Sequence, residues 1–145
     1  MSKKPIFTSR FFINALIVLV ILVVVDMVLM NNDVIGGGYV MIPWGLLSVA
    51  GIGLLISTYR ENVTGKSRLF QLLAGYSSAG FFLCVVLHNL LYGAAILAED
   101  IVLLNKVLGF LEAAFFLIGV ILCPIGFIVG MVGIFVVQRR SGVSS

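Results

Sequence analysis

Residues 69–97, LFQLLAGYSSAGFFLCVVLHNLLYGAAIL, decide how the whole chain is read. The stretch is apolar along nearly all of its length, yet it holds the single histidine of the protein, His88. At about 1.5 Å per residue, a helix of this length exceeds the roughly 30 Å hydrocarbon core of a bilayer. With 3.6 residues per turn, Ala74, Ser77, Phe81, Cys84, His88, Tyr92, Ala95 and Glu99 fall on one stripe. Leu72, Leu83, Leu87 and Leu90 lie largely on the other side. A small and polar stripe on an apolar body is expected to turn away from lipid and toward other helices.

The composition places the rest of the chain in the same solvent. Of 145 residues, 61% are hydrophobic and 10% are charged, and the mean hydropathy is +1.23. A soluble domain is closer to half apolar and a quarter charged, so this chain could not present a wettable surface. The formal charge of +3 arises from short polar connections rather than a basic tract, which argues for topology and against nucleic acid. The two cysteines, Cys84 and Cys123, both lie in apolar runs. They form neither a disulfide framework nor a paired metal-ligand motif, and no metal or cofactor is expected.

Working outward, three further apolar runs flank this one. Residues 11–30 match the bilayer core in length and lack a small-x-small cleavage site, so they read as a retained first span. Asn31, Asn32, Asp33 and the Gly36–Gly38 triplet mark a turn-rich connection. Residues 41–59 form the second span, with Pro43 in its first turn and Trp44 and Tyr59 placed as interfacial anchors. Ala50, Gly53 and Ser57 give it a small-residue stripe. Residues 107–137 form the last span, longer than the bilayer is thick, with a bend expected at Pro124. On its small-residue face lie Glu112, Phe116, Gly119, Cys123, Gly126, Gly130 and Gly133. The expected architecture is therefore an all-α integral membrane protein, a four-transmembrane-helix bundle forming a single membrane domain over residues 1–145.

Four spans put both termini on one side. Lys3, Lys4, Arg10, Arg60, Lys66, Arg68, Arg139 and Arg140 lie on that side, whereas the opposite connections hold only Lys106. The positive-inside rule predicts both termini in the cytoplasm, in the plasma membrane. The sequon Asn62-Val63-Thr64 would then face the cytoplasm and stay unmodified.

Within the spans, Asp26, His88 and Glu112 are the ionisable side chains. An acidic group at the centre of a membrane helix costs about 2.5–3.5 kcal/mol on insertion scales. Counted from the outer helix ends, Asp26, Glu112, His88 and Tyr92 fall at roughly 6–13 Å of depth, all in the outer half. His88, Glu112, Tyr92, Asp26 and Asn89 are thus the expected polar intramembrane cluster, with His88 and Glu112 facing each other. Gly126, Gly130, Gly53 and Ser57 are the expected packing residues. HExxH, Walker and CxxC motifs are lacking, so an enzyme is not expected. The function expected is that of a non-enzymatic structural or accessory subunit of a membrane complex, or a homo-oligomer. Its partners would be the lipid bilayer, other membrane subunits or itself. The alternative is a small transporter or proton-linked carrier using the outer-half His, Glu and Tyr cluster.

Overall fold

A computed structural model describes residues 8–31 and 41–142, and every regular element among them is helical. Four rods are formed. Helix α1 spans Ser9–Asn31, α2 Met41–Arg60 and α3 Gly65–Leu97. The fourth rod is α4, Val102–Leu117, which continues through a π-helical turn, Ile118–Leu122, into α5, Cys123–Gly142. Three segments are long and apolar enough to cross a membrane: Ile42–Arg60, Gly65–Leu97 and Val102–Arg140. Helix α1 is 23 residues long, and its described apolar part is Ser9–Val25. The connection expected over residues 31–40 falls, beyond Asn31, outside the described residues.

The helices overrun the apolar stretches at their polar ends. Helix α3 starts at Gly65, so Lys66 and Arg68 ride on its first turn. The α3–α4 connection is shorter than its polar composition suggests. Helix α4 already begins at Val102, which puts Lys106 on a helix rather than in a loop. Between α2 and α3 the chain reverses through Asn62 at φ 49° and Gly65 at φ 65°. These are left-handed positions that asparagine tolerates and glycine adopts freely.

Helix α3 is the hub, packed against α2, α4 and α5, each running antiparallel to it. On α2, Ser78 Oγ donates to Leu47 O at 2.6 Å while Ser48 Oγ donates to Ala79 O at 3.2 Å. On α5 the glycine face meets α3 directly. A Cβ at Gly130 would sit 2.6 Å from the Ala74 backbone nitrogen, one at Gly126 would overlap Ser77 Oγ, and one at Gly133 would overlap the Phe70 ring. Further along, Cys84 and Cys123 fit into each other's helix. The Cys123 thiol lies against Gly80 and Cys84 lies against Gly119, four residues from each cysteine on the facing rod. Helix α1 closes the body against α2, its Phe12 ring filling the notch at Gly53. Ser57 is buried on the same helix and returns its hydroxyl to Leu54 O at 3.0 Å. Leu16, Leu54, Ala74, Met131 and Ile134 form the shared core of these elements. In lipid such contacts stabilise by close packing, because hydrocarbon outside is as apolar as the core inside.

The π-helical turn has a local cause. Pro124 has no N–H, and its ring would strike the carbonyl four residues back in a regular α-helix. The rod widens over the five residues 118–122, just ahead of Pro124, and the Cys123 N–H bonds Ile118 O, five residues back. The deviation expected at Pro124 thus takes the form of a widened turn.

One polar clasp fixes the α1 end of the body. Glu61, in the α2–α3 reversal, accepts from both the Ser9 backbone N–H and the Ser9 hydroxyl, each at 2.6 Å. A carboxylate at a helix N-terminus satisfies orphan donors and meets the positive end of the helix dipole, worth about 0.3–1 kcal/mol.

Candidate functional site: the polar pair on the α3–α4 flank

His88 projects from α3 at the level where α4 presents Glu112. His88 Nδ1 lies 3.2 Å from Glu112 Oε1, and 3.4 Å from the Glu112 carbonyl oxygen. Both side chains keep about a quarter of their surface exposed, 26% and 25%. The Phe116 ring lies 5.2 Å from the imidazole, tilted against it. A small cavity of about 120 Å³, almost wholly apolar, opens beside the pair between Cys84, Phe115 and Gly119. Among the described residues the imidazole therefore has one carboxylate in reach, beside an apolar cavity. Such an arrangement can hold a proton between two groups, or simply tie two helices together.

Of the other expected members of the cluster, Tyr92 and Asn89 make no described hydrogen bond to the pair. Tyr92, one turn from His88, is 56% exposed, and no hydrogen bond joins it to the pair among the described residues. Asn89 turns outward and returns its amide to Val85 O at 2.8 Å on its own helix. Asp26 lies on α1, with its side chain outside the described residues. The stripe drawn along α3 is buried where α2 and α5 cover it, at Ala74, Ser77 and Cys84, and uncovered at Tyr92 and Glu99. Groups of three or more side chains able to hold a metal are absent among the described residues.

A second polar network was not anticipated from the ionisable residues. Thr58, 1% exposed, sets its hydroxyl 2.7 Å from Leu54 O and 2.9 Å from Gln71 Oε1, and the Gln71 amide donates to Ser67 Oγ at 3.2 Å. The signal was present as neutral polar residues inside apolar runs, which interhelical hydrogen bonding makes tolerable. This network locks α2 to α3 near their connection, at the end opposite the His88–Glu112 pair.

Helix α4 has a different environment from the other rods. It packs against α3 and the π-helical turn, and none of its residues is buried. Trp44, in the first turn of α2, stacks on Phe81 at 4.5 Å between ring centroids. Helix α3 runs on to Leu97, about 24 Å past Phe81 at 1.5 Å per residue. The C-terminal half of α3 and α4 thus form a hairpin beyond the start of α2. It carries Leu97 at 91%, Leu103 at 76% and Phe110 at 74% exposure. Comparison of the chain with protein-family models, curated proteins and solved structures finds no match.

Proposed function

We propose that the protein is a non-enzymatic membrane component whose α3–α4 hairpin docks another membrane subunit or a second copy of the chain. In this reading α1 is a fourth span, the membrane is the plasma membrane, and both termini are cytoplasmic. Support for the orientation comes from charge. Arg10, Arg60, Lys66, Arg68, Arg139 and Arg140 gather at the end of the body where Glu61 clasps Ser9, and Lys106 is at the other.

The observation that carries the proposal is that α4 buries no residue while its inner face holds a quarter-exposed ionisable pair. Lipid would cover the apolar side chains of α4 equally well. It would not cover His88 and Glu112 without penalty, because polar groups facing hydrocarbon are expensive and are normally enclosed by protein. The small-residue faces of α2, α3 and α5 are already occupied within the chain, which leaves the hairpin as the docking element. Purification in mild detergent from the native host tests this. One stoichiometric partner or a defined homo-oligomer is expected, and a protein moiety of 15.6 kDa, the lone chain, would overturn it.

A proton-linked carrier is the second reading. Its support is the direct His88–Glu112 contact beside the π-helical turn, since ionisable pairs and π-bulges within membrane helices recur at functional sites. In that reading Glu112 and His88 exchange a proton as the hairpin shifts.

A further inference from the structure

At the end of the body opposite His88, a cavity of about 120 Å³ opens between the end of α2 and the start of α3. It is lined by Thr58, Tyr59, Asn62, Val63, Thr64 and Arg68. Unlike the cavity beside His88, much of its lining is polar. The Arg68 guanidinium stands over the Tyr59 ring, 5.5 Å from its centroid, within cation–π range. That contact fixes the guanidinium in place without neutralising it. The nearest carboxylate in sequence, Glu61, is engaged by both donors of Ser9. Among the described residues no carboxylate forms an ion pair with Arg60, Lys66 or Arg68. The cavity therefore has a positioned cation, without an ion-pair partner among the described residues, beside the Thr64 hydroxyl and the Asn62 amide, while the Thr58 hydroxyl is committed to Leu54 O and Gln71 Oε1. That is a donor set suited to a phosphate oxygen cluster.

What lies below the cavity selects between sources of phosphate. Directly after Arg68, α3 presents Leu69, Tyr76 and Leu83 at seven-residue intervals, exposed at 63%, 57% and 58%. Across from them α2 presents Ile52, Ile56 and Tyr59, each close to half exposed. The Tyr59 and Tyr76 hydroxyls meet at 3.2 Å between the two rows. An apolar flank thus runs away from the cavity along both helices, capped by aromatic hydroxyls of the kind that sit at headgroup level. A soluble phosphate would use the cavity and leave the flank idle, whereas a phospholipid uses both.

We propose that this cavity binds the phosphate of an anionic phospholipid, with Arg68 as its fork and the acyl chains laid along the α2–α3 flank. The site is independent of what docks on α4. A net negative headgroup is favoured over a zwitterionic one because Arg60, Lys66 and Arg68 stand there without ion-pair partners among the described residues.

Native mass spectrometry of the full chain in mild detergent tests this. The probes are phosphatidylglycerol and phosphatidylcholine with matched acyl chains, and inorganic phosphate as competitor. Phosphatidylglycerol is expected to bind at least about fivefold tighter than phosphatidylcholine, the scale of one basic side chain near a lipid surface. Arg68→Gln should abolish that preference, and Lys106→Gln, at the other end of the body, should leave it intact. Arg68→Lys keeps the charge, so it should retain most of the preference and shows that loss in Arg68→Gln is not misfolding. Equal preference in wild type and Arg68→Gln would overturn the proposal. Displacement by inorganic phosphate with no preference for phosphatidylglycerol would overturn the lipid assignment.

Discussion

Glu112 is the residue on which the two functional readings divide. Its carboxylate is the His88 imidazole's acidic partner, and among the described residues both keep about a quarter of their surface exposed. Glu112→Gln keeps shape and hydrogen-bonding capacity while removing the charge. If the pair ties helices together, Gln should be tolerated and Glu112→Leu should cost about 1–2 kcal/mol, the upper range for polar contacts between membrane helices. If the pair moves protons, Gln should abolish the growth phenotype with assembly and melting temperature unchanged. Thermal unfolding in detergent alongside a growth assay separates the outcomes. His88 and Glu112 were legible in the sequence because ionisable groups within apolar runs are few. Tyr92 was misplaced by the same reasoning. Each four-residue step advances a stripe by about 40° around the helix. From His88 to Tyr92 that drift turns the side chain outward, where it is 56% exposed.

At the scale of elements, the glycine faces decide how closely the rods approach. Gly130 faces backbone, so Gly130→Leu has no flexible side chain to displace and should separate α5 from α3. Gly126→Leu meets Ser77 and should act in the same direction. Gly109→Leu, with nothing within 4 Å of its would-be Cβ, and Val129→Leu, at a 48% exposed position, should be tolerated. Melting temperature and monodispersity in detergent read this directly, and equal behaviour of all four variants would contradict the packing described. These faces were legible because small residues recur with helical period. The Glu61–Ser9 clasp was not, since its partners are 52 residues apart and neither lies in a periodic pattern. Glu61→Ala should lower stability by about 0.5–1 kcal/mol through the loss of that cap, measurable as a small fall in melting temperature. The π-helical turn was legible only as a departure from straightness at Pro124. A proline announces a missing donor, not whether the helix answers by kinking or by widening.

The whole molecule is asymmetric along its axis. Among the described residues, one end is a four-rod body, clasped by Glu61 and rich in arginine, and the other carries the α3–α4 hairpin with its exposed apolar faces. Charge asymmetry was legible from the sequence alone, and so was the excess length of the third and fourth apolar runs. That the excess gathers into one hairpin was not, because it depends on where α2 begins relative to Phe81. If the arginine-rich end is cytoplasmic, a cysteine introduced as Lys66→Cys should be shielded from an impermeant thiol reagent in intact cells. One introduced as Asp100→Cys should be labelled, and the reverse pattern would invert the orientation. The docking claim is tested most directly by placing the photo-crosslinking residue p-benzoylphenylalanine at Tyr92, beside the His88–Glu112 pair, in native membranes. Val49 on α2, 64% exposed, is the comparison site. The account predicts a single discrete protein adduct from Tyr92, at the mass of a defined partner or of a second copy of the chain, and none from Val49. Irradiation that yields only lipid adducts at both positions would contradict it.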